Sequence, residues 1–236
     1  ICHRSEIGRA AIVMAPAVRA TVNMSLGVAG AGSLYGISFG ALAVASGLDF
    51  WQTQVLSLFM FSGGSQFAVI GLVAAGAAGP SIITAAGLLG IRNGLYDVRM
   101  SSVVGVGFWK RLLAGHWTID ESTAVAIAQG ELREQRRGFW LTGAAIFVGW
   151  NLMTAVGAVL GDALGDPKAW GLDAAAAAAF LGLLWPRIQA FQPVAIAAVS
   201  AVVTVIAVPT LPPGIPILVA AATGLILALV AGRSKS

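Results

Sequence analysis

The chain has 236 residues, 58% of them hydrophobic and 10% charged, with a net charge of +4. A soluble domain usually carries about 25% charged residues, so the composition points to a membrane protein. The positive balance fits cytoplasmic loop charge and does not call for nucleic acid, because no basic run is interleaved with aromatics. Cys2 is the one cysteine, which excludes an intrachain disulfide and a cysteine metal cluster. His3 and His116 are too far apart in sequence to suggest a zinc site. No cofactor is expected, and no Gly-rich phosphate loop ending in Gly-Lys-Ser or Gly-Lys-Thr occurs.

Residues 3–19 read as an interfacial segment, with Arg9 and Arg19 among headgroups and Ile12, Val13 and Met14 in lipid. Pro16 and Arg19 interrupt the apolar patch, so no signal peptide is expected. A first crossing covers 21–46, followed by a turn with Asp49 and an interfacial anchor, Trp51. A second covers 52–76 and contains Ser62-Gly63-Gly64-Ser65-Gln66, which predicts a helix break. Freed backbone groups at such a break are tolerated only against protein or a wet cavity. Pro80 suits the first turn of a third segment, 81–105. That segment carries Arg92, Asn93, Tyr96, Asp97 and Arg99. Residues 112–130 are mixed, because His116, Asp120 and Glu121 interrupt the apolar positions. Crossings follow over 138–160, 172–185, 191–208 and 215–231.

Roughly 20 residues cross the hydrocarbon core. The expected fold is therefore all-α: one polytopic membrane domain over 1–236 with about eight transmembrane segments, several broken or short. The count is seven if 112–130 lies at a surface or re-enters. Loop charge puts both termini in the cytoplasm, with Asp49 outside, the 77–80 turn inside and Arg133, Arg136 and Arg137 inside. This scheme places Lys110 and Arg111 on the outer side, against the charge rule. Small-xxx-small spacings at Gly36 and Gly40, Gly90 and Gly94, and Gly157 and Gly161 are candidate close contacts between helices.

Polar groups inside such segments are costly unless they face a cavity, water or each other. A helix break at Ser62, Gly63, Gly64, Ser65 and Gln66 offers amides to an anionic group and carbonyls to a cationic one, which makes it a candidate substrate or pathway site. The alternative is close packing with the serines capping carbonyls. Arg92 either clamps a carboxylate or pairs with Asp97, Asp120 or Glu121. Asn93 can bond substrate or backbone, and Tyr96 shares a helix face with Arg92. Arg99 reads as structural, snorkelling to an interface. Asp97, Asp120, Glu121 and Asp173 are candidates for proton coupling, since burial raises a carboxyl pKa. Their alternatives are pairing with Arg92 and acidic helix starts favoured by the dipole. Gln129 and Asn151 read as interhelical bonds, and most tryptophans, Trp117 and Trp150 included, as interface belts. Leu34, Phe39, Phe61, Phe67 and Leu95 offer apolar surface near these polar elements in sequence.

The stretch from Gly36 to Ser101 resembles the AzlC-like family, the large subunit of branched-chain amino acid exporters. The matching pieces are Tyr35-Gly36-Ile37-Ser38-Phe39-Gly40, Gly47-Leu48 and Phe61-Ser62-Gly63-Gly64-Ser65-Gln66-Phe67-Ala68. Ile91-Arg92-Asn93-Gly94-Leu95-Tyr96, Asp120-Glu121-Ser122 and Gly171-Leu172-Asp173 extend the resemblance over nearly the whole chain. It implies secondary export of branched-chain amino acids, and of methionine, across the cytoplasmic membrane. It also implies a small AzlD-like membrane protein as partner. One departure stands out: the family commonly has His after the arginine, where this chain has Asn93. An amide cannot carry the proton that an imidazole could.

Overall fold

The structure is a computed structural model that describes residues 2–164, 181, 184, 185 and 188–233, without the side chains of 2–16, 164, 232 and 233. Every element among these residues is helical. They are α1 (Cys2–Ala45), α2 (Phe50–Phe59), α3 (Gly63–Ala74), α4 (Gly79–Val104), α5 (Phe108–Trp117), α6 (Asp120–Ile127), α7 (Leu132–Leu164), α8 (Phe191–Ala207) and α9 (Ile215–Arg233). The segment 172–185, with Asp173, falls outside the described residues apart from Leu181, Leu184 and Trp185. Two helical stretches, Ala17–Ala45 and Leu132–Ala163, are long and apolar enough to cross a membrane; α3, α8 and Ile215–Ala231 of α9 are shorter and apolar. The backbone of 3–19 is not a separate element: α1 runs unbroken through Pro16.

α1 and α7 lie side by side and run parallel. Thr21 is level with Gly138, Gly32 with Ile146, Gly36 with Trp150 and Ala41 with Gly161. Glycine makes the contact close. A methyl on Gly36 would sit 2.8 Å from the Trp150 carbonyl oxygen, and one on Gly161 2.7 Å from Ala41 Cα. Gly40 and Gly157 are equally backbone-to-backbone, against Ala158 and Ile37. Two of the three predicted small-residue spacings thus meet each other across one seam, as membrane helices with small interfaces do. The third does not: Gly94 faces open space and Gly90 has only the Ser65 hydroxyl nearby. Buried residues recur every four positions along α7, at Thr142, Ile146, Trp150, Thr154 and Ala158. A stripe of this period is one helix face.

The segments between these long helices fold back on themselves. Met60–Ser62 turns the chain from α2 into α3. Ser57 on α2 lies beside Thr154, Phe61 beside Phe147, and Gly63 and Phe67 beside Trp150. α2 therefore approaches the middle of α7 and α3 leaves in the direction α2 came from. Ser65 then meets Ala86 on the next helix, so α3 and α4 are antiparallel and the turns at 46–49 and 75–78 share one end of the molecule. α5 and α6 do the same from the opposite end. Ala114, Ala126, Phe139 and Met100 share one buried cluster, and the Trp117 side chain lies against Gly143 while Val125 lies against Gly138. Neither 52–76 nor 112–130 runs from one end of the molecule to the other.

This corrects the expected loop order. The 77–80 turn lies on the Asp49 side, not opposite it. Lys110 and Arg136 line the same cavity, and Arg136 Nε donates to the Val103 carbonyl at 2.7 Å. The basic residues at 110–111 and 133–137 therefore lie at one end. The physical reason is length: α5 has 10 residues and α6 has 8, about 15 and 12 Å of helix, half of what a bilayer core needs.

Candidate functional site

Each hairpin tip is built by local hydrogen bonds. α2 starts on Asp49, whose side chain accepts from Gln52 N at 2.8 Å while Gln52 Oε1 accepts from Asp49 N at 3.0 Å, a capping box. α2 ends at Phe59, leaving carbonyls without intrahelical partners. Gln66 reaches back from α3, its Nε2 donating to Ser57 O at 3.4 Å. Ser62 Oγ donates to Ser65 Oγ at 3.4 Å, and Ser65 Oγ donates to Ala86 O at 3.1 Å. Residues 61, 62 and 64–67 are all buried, so the tip faces protein. The break falls at Met60–Ser62, immediately before the paired glycines, and Gly63 and Gly64 open α3. Ser62 has no side-chain cap on that helix.

The second tip uses Ser122. Its Oγ accepts from Ile119 N at 3.1 Å and donates to Trp117 O at 2.8 Å. Thr118 Oγ1 donates to Ala114 O at 2.8 Å. α6 then begins with Asp120 and Glu121 in its first turn, where the helix dipole favours acids.

The two tips meet. The Phe61 ring lies 5.9 Å from His116 and 5.1 Å from Phe147, and Phe147 is 5.5 Å from His116 and 5.9 Å from Trp117. Ile119 and Phe61 belong to one buried cluster with Phe39, Phe67, Ile70, Ile146 and Trp150. Two helix N-termini, those of α3 and α6, thus start near the middle of the molecule and point away from each other.

α4 passes both tips. Arg92, Asn93, Tyr96 and Asp97 are half-buried, while Ile91, Gly94, Leu95, Val98 and Arg99 between them are exposed. Arg92 Nη1 pairs with Asp120 Oδ2 at 2.8 Å, with side chains 26% and 14% exposed. That selects Asp120 from the three partners open in the sequence, although Glu121 also feels both charges. Asp97 faces the other hairpin arm, beside Thr118 and Gly115. Arg99 lies on the outward face.

Several buried polar atoms around the tips have no hydrogen-bond partner among the described residues: Gln66 Oε1, Arg92 Nε, Asn93 Oδ1, Trp117 Nε1, Trp150 Nε1 and Asn151 Oδ1. Gln66 is fully buried and Trp150 is 8% exposed. Buried polar groups are ordinarily bonded, so a cluster of exceptions calls for an explanation. The outer end of the Trp150 six-membered ring lies on Gly63; a methyl there would be 3.3 Å from Cη2, 3.8 Å from Cζ2 and 3.9 Å from Cζ3.

Several expectations change. Trp150 is buried and Trp117 packs partly buried against the same core, neither at an interface; Trp51 and Trp109 are on the outside. Phe39, Phe61 and Phe67 come together, but Leu34 and Leu95 are exposed elsewhere. Gln129 does bond between helices, accepting from Thr21 at 3.0 Å. Asn151 instead donates to Phe147 O within its own helix. Thr53, Ser57 and Thr154 were not singled out by sequence, yet all three are fully buried. Their signal was available as small polar residues spaced four apart on α2 and matched on α7.

The described residues are all helical, with two apolar helices of membrane-crossing length and two inward-folded helix pairs, an arrangement that fits a membrane protein. The family model described as AzlC protein matches residues 28–164, a span containing both hairpins and all of α4. The chain belongs to the AzlC family, a transporter-associated family linked to branched-chain amino acid transport and to an AzlD partner. No curated protein and no solved structure matches the chain.

Proposed function

We propose that this chain is a secondary transporter that exports valine, leucine and isoleucine, with methionine as a further substrate. It works in the cytoplasmic membrane with a small AzlD-like partner. The observation that carries the reading is the meeting of two hairpin tips amid unpaired buried polar atoms. A zwitterion needs donors and acceptors a few ångströms apart, and the tips differ in that sense. The α3 tip has free amides at Gly63, Gly64 and Ser65 and no acid in its first turn, which suits the carboxylate. The α6 tip carries Asp120 and Glu121, which suit the ammonium. With Asp120 held by Arg92, Glu121 is the carboxylate assigned to contact the ammonium or to carry the coupling proton, with Asp97 as second candidate. Phe39, Phe61, Phe67 and Trp150 form apolar wall beside the first tip. Such a wall separates substrates differing by one methylene only weakly, which fits a shared pathway for the branched-chain set.

The end bearing Lys110, Arg111, Arg133, Arg136 and Arg137 is assigned to the cytoplasm, which puts both the 46–49 and 75–78 turns outside. The hairpins enter from opposite faces, so α1, α4, α7, α8 and α9 are the assigned crossings among the described residues. The Arg92–Asp120 pair taken alone supports a rival reading, a membrane assembly subunit whose polar groups only brace its helices. Counterflow of labelled valine into proteoliposomes holding this chain and its partner tests the proposal. Uptake that unlabelled leucine competes for is the expected result. Absence of movement of valine, leucine, isoleucine and methionine under either imposed gradient would remove it.

A further inference from the structure

At the basic end, α4, α5 and α7 frame an open cavity of about 760 Å³, lined in part by Ser101, Ser102, Lys110, Leu113, Arg136 and Trp140. We propose that this cavity holds the phosphate-bearing headgroup of an anionic phospholipid. Two cations from different helices converge on it, and neither makes an ion pair among the described residues. The neighbouring acid is taken, because Glu134 pairs with Arg137. The framing helices add Arg99 on α4, Arg111 on α5 and Arg133 on α7; of their other acids, Asp97 faces Gly115 and Asp162 lies at the far end of α7.

Local geometry sharpens the charge argument. Lys110 sits in the first turn of α5, where the helix dipole disfavours a cation. That helix has no acid in its first turn and no side-chain bond from its N-cap, Gly107. An anion would relieve both, accepting from the bare amides and from Lys110. Arg136 is held in place by its Nε bond to Val103 O, and its terminal nitrogens have no acceptor among the described residues. Ser101 and Ser102 spend their protons on Val98 O and Arg99 O. Their oxygens can therefore accept from a headgroup hydroxyl, such as those of a glycerol.

The walls favour a lipid over free phosphate. Leu113, Val104 and Val106 line the cavity, and Phe108, Trp109 and Leu112 stand exposed on α5 with Leu113. Acyl chains have an apolar surface to follow from the headgroup outward. Basic pockets between helices at the cytoplasmic side are a known physical solution to headgroup binding. The site is separate from the hairpin tips and does not depend on which solute is carried.

Thermal unfolding of the purified chain in mild detergent tests this, with phosphatidylglycerol, phosphatidylcholine or inorganic phosphate added. Phosphatidylglycerol should raise the midpoint; the other two should not. Lys110→Ala, at an exposed position, should keep the unliganded midpoint and weaken phosphatidylglycerol binding about fivefold. An equal shift with phosphatidylcholine would overturn the charge assignment. A shift with inorganic phosphate as large as with the lipid would overturn the lipid assignment. An unaltered lipid titration in Lys110→Ala would overturn the site.

Discussion

The two hairpins share a shape but not a chemistry. α2–α3 turns on Met60–Ser62 and is held by neutral groups: Gln66 to Ser57 O, Ser65 to Ala86 O. α5–α6 turns on Thr118–Ile119 and is held by a serine and an ion pair: Ser122 to Ile119 N and Trp117 O, Asp120 to Arg92. Short inward helices solve one problem in both cases. They bring helix N-termini into the middle of an apolar layer while every arm remains packed on α4 or α7. On the proposed function, the difference in chemistry gives the two ends of the central region unlike preferences, one for a carboxylate and one for a cation. A pair of identical tips could not orient a zwitterion.

The largest effect should come from breaking the charged tip. Arg92→Ala leaves Asp120 without its cation. Breaking a buried pair costs about 3–5 kcal/mol; partial exposure here lowers the expectation to about 2 kcal/mol. Valine counterflow should fall to background. Arg92→Ala with Asp120→Asn should recover most of the thermal midpoint, since the unpaired charge is gone. Recovered stability with transport still absent separates a substrate or pathway role for Arg92 from a bracing one.

Next in size is the neutral tip. Gly63→Val places carbon 3.3–3.9 Å from the Trp150 ring, a tightness of the kind that costs about 1–3 kcal/mol when a core is overpacked. It also covers the first free amides of α3. Transport should drop more than tenfold even at temperatures where the protein stays folded. Full transport in a stable Gly63→Val protein would remove these amides from the site and leave the charged tip to act alone.

How much of this was legible in the sequence follows from which signals are local. The helix break was readable because Gly63 and Gly64 interrupt an otherwise apolar run, and the α1–α7 seam was readable as spaced glycines. The Arg92–Asp120 pairing was open among three acids, because choosing requires knowing that α6 starts level with the middle of α4. The fold-back of 52–76 was hidden for another reason. A broken crossing and an inward hairpin have the same composition and length, and only contacts across the chain, such as Ser57 with Thr154 and Phe67 with Trp150, tell them apart. The misplacement of Lys110 was the visible symptom of that error: a charge on the wrong side signalled a segment that does not cross.

A smaller effect is expected from Gln66→Ala. The bond it loses is long, 3.4 Å, so stability should fall by about 1 kcal/mol. Its Oε1 has no partner in the described structure and is free to meet an ammonium or a water. Valine binding, read as a thermal shift on monodisperse protein, should weaken severalfold. An unchanged shift together with unchanged transport would take Gln66 out of the site and make it only the cap of α2.

The smallest expected effect compares one hydroxyl in each tip. Ser65→Ala removes a bond to Ala86 O, and Ser122→Ala removes the acceptor for Ile119 N and the donor to Trp117 O. Each loss is worth about 1 kcal/mol by ordinary hydrogen-bond arithmetic, with Ser122→Ala the larger because it leaves a buried backbone N–H unsatisfied. If the tips are only turns, transport should follow stability in both variants. If the neutral tip contacts solute, Ser65→Ala should weaken valine binding beyond its stability cost while Ser122→Ala should not. Measuring midpoint and counterflow on both proteins decides between these outcomes. Equal loss of binding in the two would mean that the α3 tip has no special role in recognition.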